Sequence, residues 1–179
     1  MRSVILFIVL FFNIFLVSNV LAQKYDVSAI GFYNVENLFD TIDNKNVNDI
    51  DFTVNGKNQW GDKRYQKKLH DISSVISKIG KDVTPDGLAI VGVSEIENIL
   101  VLEGLIKQES IKDRKYQIIH YDSPDRRGID VALLYQETYF TPTSSKAFPL
   151  NMPTDTSFRT RSQLLVSGEL LGERMHFIV

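Results

Sequence analysis

The spacing of hydrophobic positions divides this chain into helices, strands and a long polar loop. Over residues 62–80, apolar positions recur at intervals of four and three, which predicts an amphipathic helix with one buried stripe. Asp62 stands where an N-cap is expected, and Gly80 stands where the helix should end. The stripe is formed by Tyr65, Leu69, Ile72, Ile76 and Ile79, and Val75 widens it.

Short apolar runs bounded by turn residues predict buried strands. The clearest run covers residues 88–93, after the turn Pro85-Asp86-Gly87, and it ends in Ser94-Glu95-Ile96-Glu97-Asn98. A second helix is predicted at residues 99–106, with Asn98 as its N-cap. Further strands are predicted at residues 26–33, 116–121, 129–135, 162–166 and 175–179.

Two segments show neither the helical nor the strand pattern of hydrophobic residues. Residues 41–61 are polar and rich in Asn and Asp, which predicts a long surface loop. Residues 141–156 contain three prolines and are expected to be irregular. Because helices alternate with the early strands while the later strands follow one another, we expect an α/β (α+β) fold with a mixed sheet and helices packed on it.

Residues 1–22 have the layout of a secretory signal peptide. Arg2 supplies a positive charge, residues 4–17 are almost entirely apolar, and Val20 and Ala22 occupy the −3 and −1 positions of a cleavage site. An uncleaved anchor is the alternative, although the apolar stretch is near the lower limit of about 17 residues for a membrane span. We therefore expect an exported protein, periplasmic or extracellular, with one domain at residues 23–179 and no membrane span after cleavage.

Composition excludes several classes of function. The formal net charge is −2, and it becomes −3 once Arg2 is removed with the signal peptide. Surfaces that bind nucleic acid tightly are usually basic, so the bulk charge gives no support for such binding. The chain has no cysteine, which excludes disulfides, thiolate zinc sites and thiol catalysis.

Three predicted strands have acidic and amide side chains at one end. The segments are Asn34-Val35-Glu36-Asn37, Ser94-Glu95-Ile96-Glu97-Asn98 and Asp125-Arg126-Arg127-Gly128-Ile129-Asp130. Open α/β folds bind ligands beyond the carboxyl ends of strands. Carboxylates suit Mg²⁺, Ca²⁺ or Mn²⁺, and Arg holds phosphate oxygens with two donors. Together the segments indicate metal-assisted attack on a phosphoester, whereas each alone is more typical of a polar turn.

These segments resemble the motifs of the endonuclease/exonuclease/phosphatase superfamily of deoxyribonuclease-like metal phosphoesterases. Residues 32–38 are similar to its first motif, a W/Y-N-V-x-x-L pattern, and Val93-Ser94-Glu95 is similar to its hydrophobic-Gln-Glu metal motif. Residues 127–135 are similar to its third motif. The resemblance covers residues 27–179 and is strongest to exported members from Bacteroidetes-like bacteria. It implies the N-terminal part of a four-layer α/β sandwich with mixed, mostly antiparallel sheets.

The resemblance also implies roles for particular residues. Glu95 would be the principal Mg²⁺ ligand, with Mn²⁺ or Ca²⁺ as alternatives, and Glu36 would be a second acid near the metal. Asn34 would contact the scissile phosphate or the general base, and Arg127 would contact phosphate. Asp130 would have a supporting role, with a structural salt bridge or a strand-register role as the equal alternative. The substrate would be a nucleic acid, a phospholipid or a small phosphate ester, and no stable protein partner is implied.

The later motifs of the superfamily, an Asn-His-x-x-Ser-Arg segment, Gly-Asp-x-Asn and a terminal Asp-His, are absent from these 179 residues. His70 is expected at the surface, and His120 and His176 are expected to be ordinary strand histidines without an acidic partner. We therefore expect the natural chain to continue past Val179 and the 179-residue chain to be inactive by itself.

Two other functions stay open. The chain could be a non-catalytic fragment or binding module. It could also be a calcium-binding protein built around Asp43, Asp49 and Asp51. Their spacing does not match a calcium-binding loop, so we expect them to be solvated loop acids.

Overall fold

The computed structural model describes residues 25–179, so the predicted signal peptide lies outside the described residues. Within this range, no helix is both long enough and apolar enough to cross a lipid bilayer. The regular elements are β1 (Ala29–Leu38), α1 (Asp62–Lys78), β2 (Leu88–Ile96), α2 (Ile99–Ile106), β3 (Gln117–His120), β4 (Asp130–Tyr135), β5 (Phe140–Phe148), β6 (Gln163–Leu170) and β7 (Glu173–Ile178), with short 3₁₀ turns at Ile50–Phe52 and Lys112–Arg114.

The strands form two sheets. The first has the order β1-β2-β4-β3, in which only β1 and β2 are parallel. A parallel pair needs a long crossover connection, which here contains α1. The second sheet is an antiparallel meander in the order β5-β6-β7. The expectation of mixed, mostly antiparallel sheets is therefore confirmed.

Both faces of the first sheet are covered. The two helices pack on one face, where their buried side chains meet those of β1, β2 and β4. The second sheet packs on the opposite face through apolar side chains of β2, β4, β5, β6 and β7. The order over residues 25–179 is therefore helices, sheet, sheet, which is three layers of an α/β sandwich. The face-to-face core of the two sheets contains Ala89, Ile90, Leu133, Phe140, Leu164, Val166, Leu170 and Phe177.

The predicted helices are confirmed, with one change at a cap, but the expected burial of Val75 and Ile79 was wrong, because both side chains are exposed. Asn98 caps α2 as expected, because its side-chain oxygen accepts hydrogen bonds from the backbone N–H groups of Leu100 and Val101 at 2.9 and 3.1 Å. The N-cap of α1 is Gly61, whereas Asp62 is the first helical residue. An acidic side chain still favours that position, because the N-terminal turn of a helix carries partial positive charge.

The expectation that residues 141–156 are irregular was wrong for their first half, which is most of β5. Pro142 lies inside this strand, where a proline normally removes a ladder hydrogen bond. It is tolerated because β5 is an edge strand and its register with β6 shifts between Pro142 and Ser144. Gly168 faces Pro142 across the ladder, and a Cβ there would lie 2.5 Å from the Phe140 ring.

The loop over residues 41–61 is anchored to the fold by aromatic rings. Phe52 stacks on Phe39 with a ring-centroid distance of 4.0 Å, and Trp60 meets Phe52 edge-on at 5.8 Å. The indole N–H of Trp60 donates to the backbone oxygen of Phe39 at 3.0 Å. Asp49 is buried, so the expectation of solvated acids holds for Asp43 and Asp51 but was wrong for Asp49.

Candidate active site

The parallel strands β1 and β2 end side by side, and both become irregular at the same level. Asn34 pairs with Ser94, and the next β2 residue, Glu95, has a φ of +66°. The register between β2 and β4 shifts here, because Ser94 pairs with Val131 while Ile96 pairs with Asp130. Glu95 is therefore the extra residue of a β-bulge, a feature that re-aims a side chain at the end of a strand.

The bulge changes which face each side chain meets. Val91 and Val93 point to the helix layer, and Ile96 joins them there although it would otherwise fall on the other face. Glu95 is released from the buried faces and is half-exposed. One extra residue thus seals the core with Ile96 and presents the carboxylate of Glu95 at the sheet edge.

β1 has a matching irregularity. Glu36 and Asn37 have φ values of +54° and +64°, and the register with β2 shifts between Asn34 and Leu38. The side-chain oxygen of Asn34 accepts a hydrogen bond from the backbone N–H of Glu36 at 2.8 Å. This bond orients the amide of Asn34, an exposed side chain, and its NH₂ group keeps two donors for another partner.

Glu95 faces a cation supplied by a distant part of the chain. Its Oε1 atom lies 3.3 Å from Nη1 of Arg161, and the two side chains are 20% and 32% exposed. Arg161 precedes β6, so this contact joins the edge of the first sheet to the second sheet. A contact of 3.3 Å is longer than the roughly 2.7–2.9 Å of a strong charge-assisted bond. The Arg161 guanidinium therefore offsets the charge of Glu95, and the carboxylate oxygens can still bind another partner.

A cavity of about 340 Å³ opens beside Arg161, where the two sheets meet. Asn34 and Ser94 line it from the first sheet, and Arg161 lines it from the second. It adjoins a larger cleft of about 790 Å³, because Leu150 and Ser162 line both. The cavity thus offers amide, hydroxyl and guanidinium donors together, which suits an oxyanion such as phosphate.

Arg127 is engaged by its own turn. Its Nε and Nη2 atoms donate to Oδ1 and Oδ2 of Asp125 at 3.1 and 3.0 Å. Burial opposes ionisation of Asp125, but the hydrogen bonds and charge of Arg127 outweigh it and lower the pKa of that carboxyl group. The hydrogen bond to Asp125 raises the pKa of Arg127, to which the charge of Glu95 also contributes. Arg127 is therefore close enough to Glu95 to interact with its charge, and two hydrogen bonds to Asp125 hold its guanidinium in place.

Asp130 lies on the other face of the first sheet. Its cross-strand partner Ile96 and its neighbour Ala132 both point to the helix layer, as does His120, which pairs with Ala132. Oδ2 of Asp130 lies 2.9 Å from Nε2 of His120, and both side chains are 5% exposed. The expectation that His120 has no acidic partner was therefore wrong. His70 is exposed as expected, and His176 contacts the hydroxyl of Ser167 at 2.8 Å.

Glu97 is a buried acid that the sequence does not single out. Its Oε2 atom accepts a hydrogen bond from the backbone N–H of Asp40 at 2.7 Å. Burial, together with the charges of Asp40, Asp49 and Asp130, raises the pKa of Glu97 to about 7, although the hydrogen bond from Asp40 lowers it. The acid of the Glu95–Glu97 pair that lies inside the fold is therefore Glu97, whereas Glu95 contacts Arg161, which lines the cavity.

The structure brings the predicted site residues together only in part. Asn34 and Glu95 share one strand edge, and Arg127 lies near Glu95. Glu36 is exposed, and its backbone N–H and C=O form hydrogen bonds with the side chains of Asn34 and Lys68. The catalytic and metal-binding roles of all these residues, and of Asp130, stay predictions. Arg161 escaped sequence reasoning because it lies in an aperiodic segment.

A comparison with protein-family models identifies the family of this chain. The model of the endonuclease/exonuclease/phosphatase family matches residues 29–179. The chain belongs to this family and has its hydrolase fold. A search of curated proteins finds no match.

Solved structures with a similar fold are more distant. An endonuclease/exonuclease/phosphatase from Bacteroides vulgatus has 14% identity and a TM-score of 0.47, with 83% of this chain and 49% of that chain covered. A mannosyl-6-phosphatase from Bacteroides thetaiotaomicron has 16% identity and a TM-score of 0.44, with 83% and 48% covered. The 2′,3′-cyclic phosphatase ANGEL2 has 14% identity and a TM-score of 0.39, with 60% and 27% covered. The chain thus spans about half the length of the first two of these proteins and 27% of the third.

Proposed function

We propose that this protein is an exported, divalent-metal-dependent phosphoesterase in which Glu95 holds the metal and Asn34 binds the phosphate of the substrate. The observation that carries the proposal is the shared strand edge, where two bulges present an amide and a carboxylate beside a cavity lined by Arg161. The membership of the chain in a phosphoesterase family supports it. The signal-peptide pattern of residues 1–22 supports export.

The donor set fits a hard cation. Glu95 already faces a positive charge at 3.3 Å, and its half-exposed carboxylate is the oxygen ligand that Mg²⁺ or Mn²⁺ prefers. A bound metal would polarise the phosphate and lower the pKa of a bound water. The amide of Asn34 would donate to a phosphate oxygen, and Arg161 would oppose the negative charge that develops on phosphorus-bound oxygens.

The experiment is a hydrolysis assay, with and without Mg²⁺, on the full-length natural protein, because residues 1–179 by themselves are expected to be inactive. The panel contains a nitrophenyl phosphomonoester, a bis-nitrophenyl phosphodiester, DNA, sphingomyelin, mannose 6-phosphate and a 2′,3′-cyclic nucleotide, which separates the substrate classes that the proposal leaves open. We expect turnover that EDTA abolishes and Mg²⁺ restores. Failure of every substrate in the presence of Mg²⁺ would favour the non-catalytic alternative.

Two variants connect the assay to the site. Glu95→Gln keeps the shape of the side chain but removes its charge, and we expect kcat/KM to fall by about 100-fold or more, since metal stabilisation of a transition state contributes several kcal/mol. Glu103→Gln, an exposed site on α2 paired with Lys107, is the matched control and should change kcat/KM less than twofold. Equal losses in the two variants would refute the assignment of Glu95.

A further inference from the structure

A second group of metal-binding side chains lies away from Glu95, at the edge where β3 and β4 meet. One ligand atom each from His120, Asp122 and Asp130 lies within 4.8 Å of the other two. The side chains of His120 and Asp130 are almost fully buried, whereas Asp122 is exposed. An imidazole and two carboxylates therefore surround one point, two from inside the fold and one from the solvent side.

The buried pair is held in orientation by bonds outside the cluster. Oδ1 of Asp130 accepts the backbone N–H of Ser123 at 2.9 Å, which directs Oδ2 to Nε2 of His120. The hydroxyl of Ser123 in turn donates to the backbone oxygen of Ile129 at 3.1 Å. Carboxylates that bind metals are fixed in this way by hydrogen bonds from surrounding groups.

One distance in the cluster matches that around a small divalent ion. With bonds of about 2.1 Å, ligand atoms at a right angle lie about 3.0 Å apart, and ligand atoms on opposite sides lie about 4.2 Å apart. The 2.9 Å between His120 and Asp130 fits the first value. Asp122 is exposed, so a rotation of its side chain would close the remaining distance. An ion pair would account for His120 and Asp130 but not for the second carboxylate beside one imidazole.

We propose that His120, Asp122 and Asp130 bind a divalent transition-metal ion, Mn²⁺ or Zn²⁺. The mixture of ligands selects these ions, because imidazole suits Zn²⁺ and other transition metals while carboxylates suit Mn²⁺. The site joins the end of β3 to the start of β4 and so clamps the turn at residues 121–129, which carries Asp125 and Arg127. It lies on the opposite face of the sheet from Asn34, and it does not depend on the proposed phosphoesterase function.

The test uses the full protein with Glu95→Gln, so that the ion proposed at Glu95 does not contribute. After metal removal with a chelator, Mn²⁺ is titrated and followed by electron paramagnetic resonance. We expect one bound Mn²⁺ per chain with hyperfine coupling to an imidazole nitrogen. His120→Gln in the same background should abolish the nitrogen coupling and weaken binding at least tenfold.

Two further variants keep the result independent of folding. Asp122→Asn changes an exposed side chain, so circular dichroism should be unchanged while Mn²⁺ affinity falls about tenfold. Asp71→Asn, on the exposed face of α1, is the matched control and should bind like the background protein. Absence of Mn²⁺ binding in the Glu95→Gln protein, binding without nitrogen coupling, or full affinity in Asp122→Asn would each overturn the proposal. If the protein binds this Mn²⁺ but hydrolyses no substrate, the result would count only against the phosphoesterase function.

Discussion

Replacing Glu97 with Gln should stabilise the folded protein at alkaline pH. Glu97 is 7% exposed, and burial together with the charges of Asp40, Asp49 and Asp130 raises the pKa of its carboxyl group to about 7. Glutamine has the same shape and stays neutral, and its amide oxygen can still accept the backbone N–H of Asp40. The substitution therefore removes the cost of a buried negative charge and keeps the hydrogen bond.

The sign and size follow from proton linkage. An unfolded chain releases this proton near pH 4.5, whereas the folded protein keeps it until about pH 7. Because the folded state binds more protons in between, the free energy of unfolding falls as the pH rises through that window, and the full cost is present above pH 7. At about 1.4 kcal/mol for each pH unit, the cost amounts to about 3 kcal/mol.

Urea unfolding at pH 4 and pH 8, in EDTA, measures the effect. We expect Glu97→Gln to exceed the natural protein by about 2–3 kcal/mol at pH 8 and to match it at pH 4. Glu103→Gln, an exposed control, should change the free energy of unfolding by less than about 0.5 kcal/mol at both pH values. A Glu97→Gln effect that is the same at pH 4 and pH 8 would show that the carboxyl group does not titrate differently on folding.

Two stability predictions test the fold that carries the site. Phe140→Ala should cost about 3–5 kcal/mol, because the ring is 1% exposed and meets Tyr135 and Phe177 edge-on between the sheets; chemical denaturation measures it, and a cost under 1 kcal/mol would contradict the packing. Asn98→Ala should cost about 1 kcal/mol, because two N–H groups at the start of α2 lose their acceptor; Asn98→Ser, which retains an acceptor and places no second carboxylate beside Asp40, should recover part of it.

The local elements were predictable wherever period and capping agree. Apolar residues at the 3.6-residue helical period predict α1, and Leu69, Ile72 and Ile76 of that stripe are buried in the structure. Asn98 predicts the start of α2 because an N-cap acts within one turn of the helix. β5 was missed because Pro142 argues against a strand in any local reading. Its place at a sheet edge, which makes the proline tolerable, depends on partners that follow it in the chain.

The candidate site was predictable in its strand ends but not in its pairings. Asn34 and Glu95 stand out because each follows an apolar run, and parallel neighbours end at the same edge. Glu95 and Arg161 are 66 positions apart in the sequence. Arg161 also lies in a segment without periodic hydrophobic residues, so no sequence spacing predicts their contact. The pair of His120 and Asp130 is likewise a contact between neighbouring strands, and it depends on the β3–β4 register, in which His120 pairs with Ala132, two residues from Asp130.

The bulges at the strand edge bear on how this sequence can evolve. Glu36, Asn37 and Glu95 adopt the left-handed backbone region without being glycine, and such residues cost on the order of 1–3 kcal/mol each. Glycine at position 95 would relieve that strain, so selection for thermal stability alone would remove the carboxylate. Variants that keep Glu95 while the rest of the chain is pushed towards higher stability would therefore record a selective demand for its chemistry.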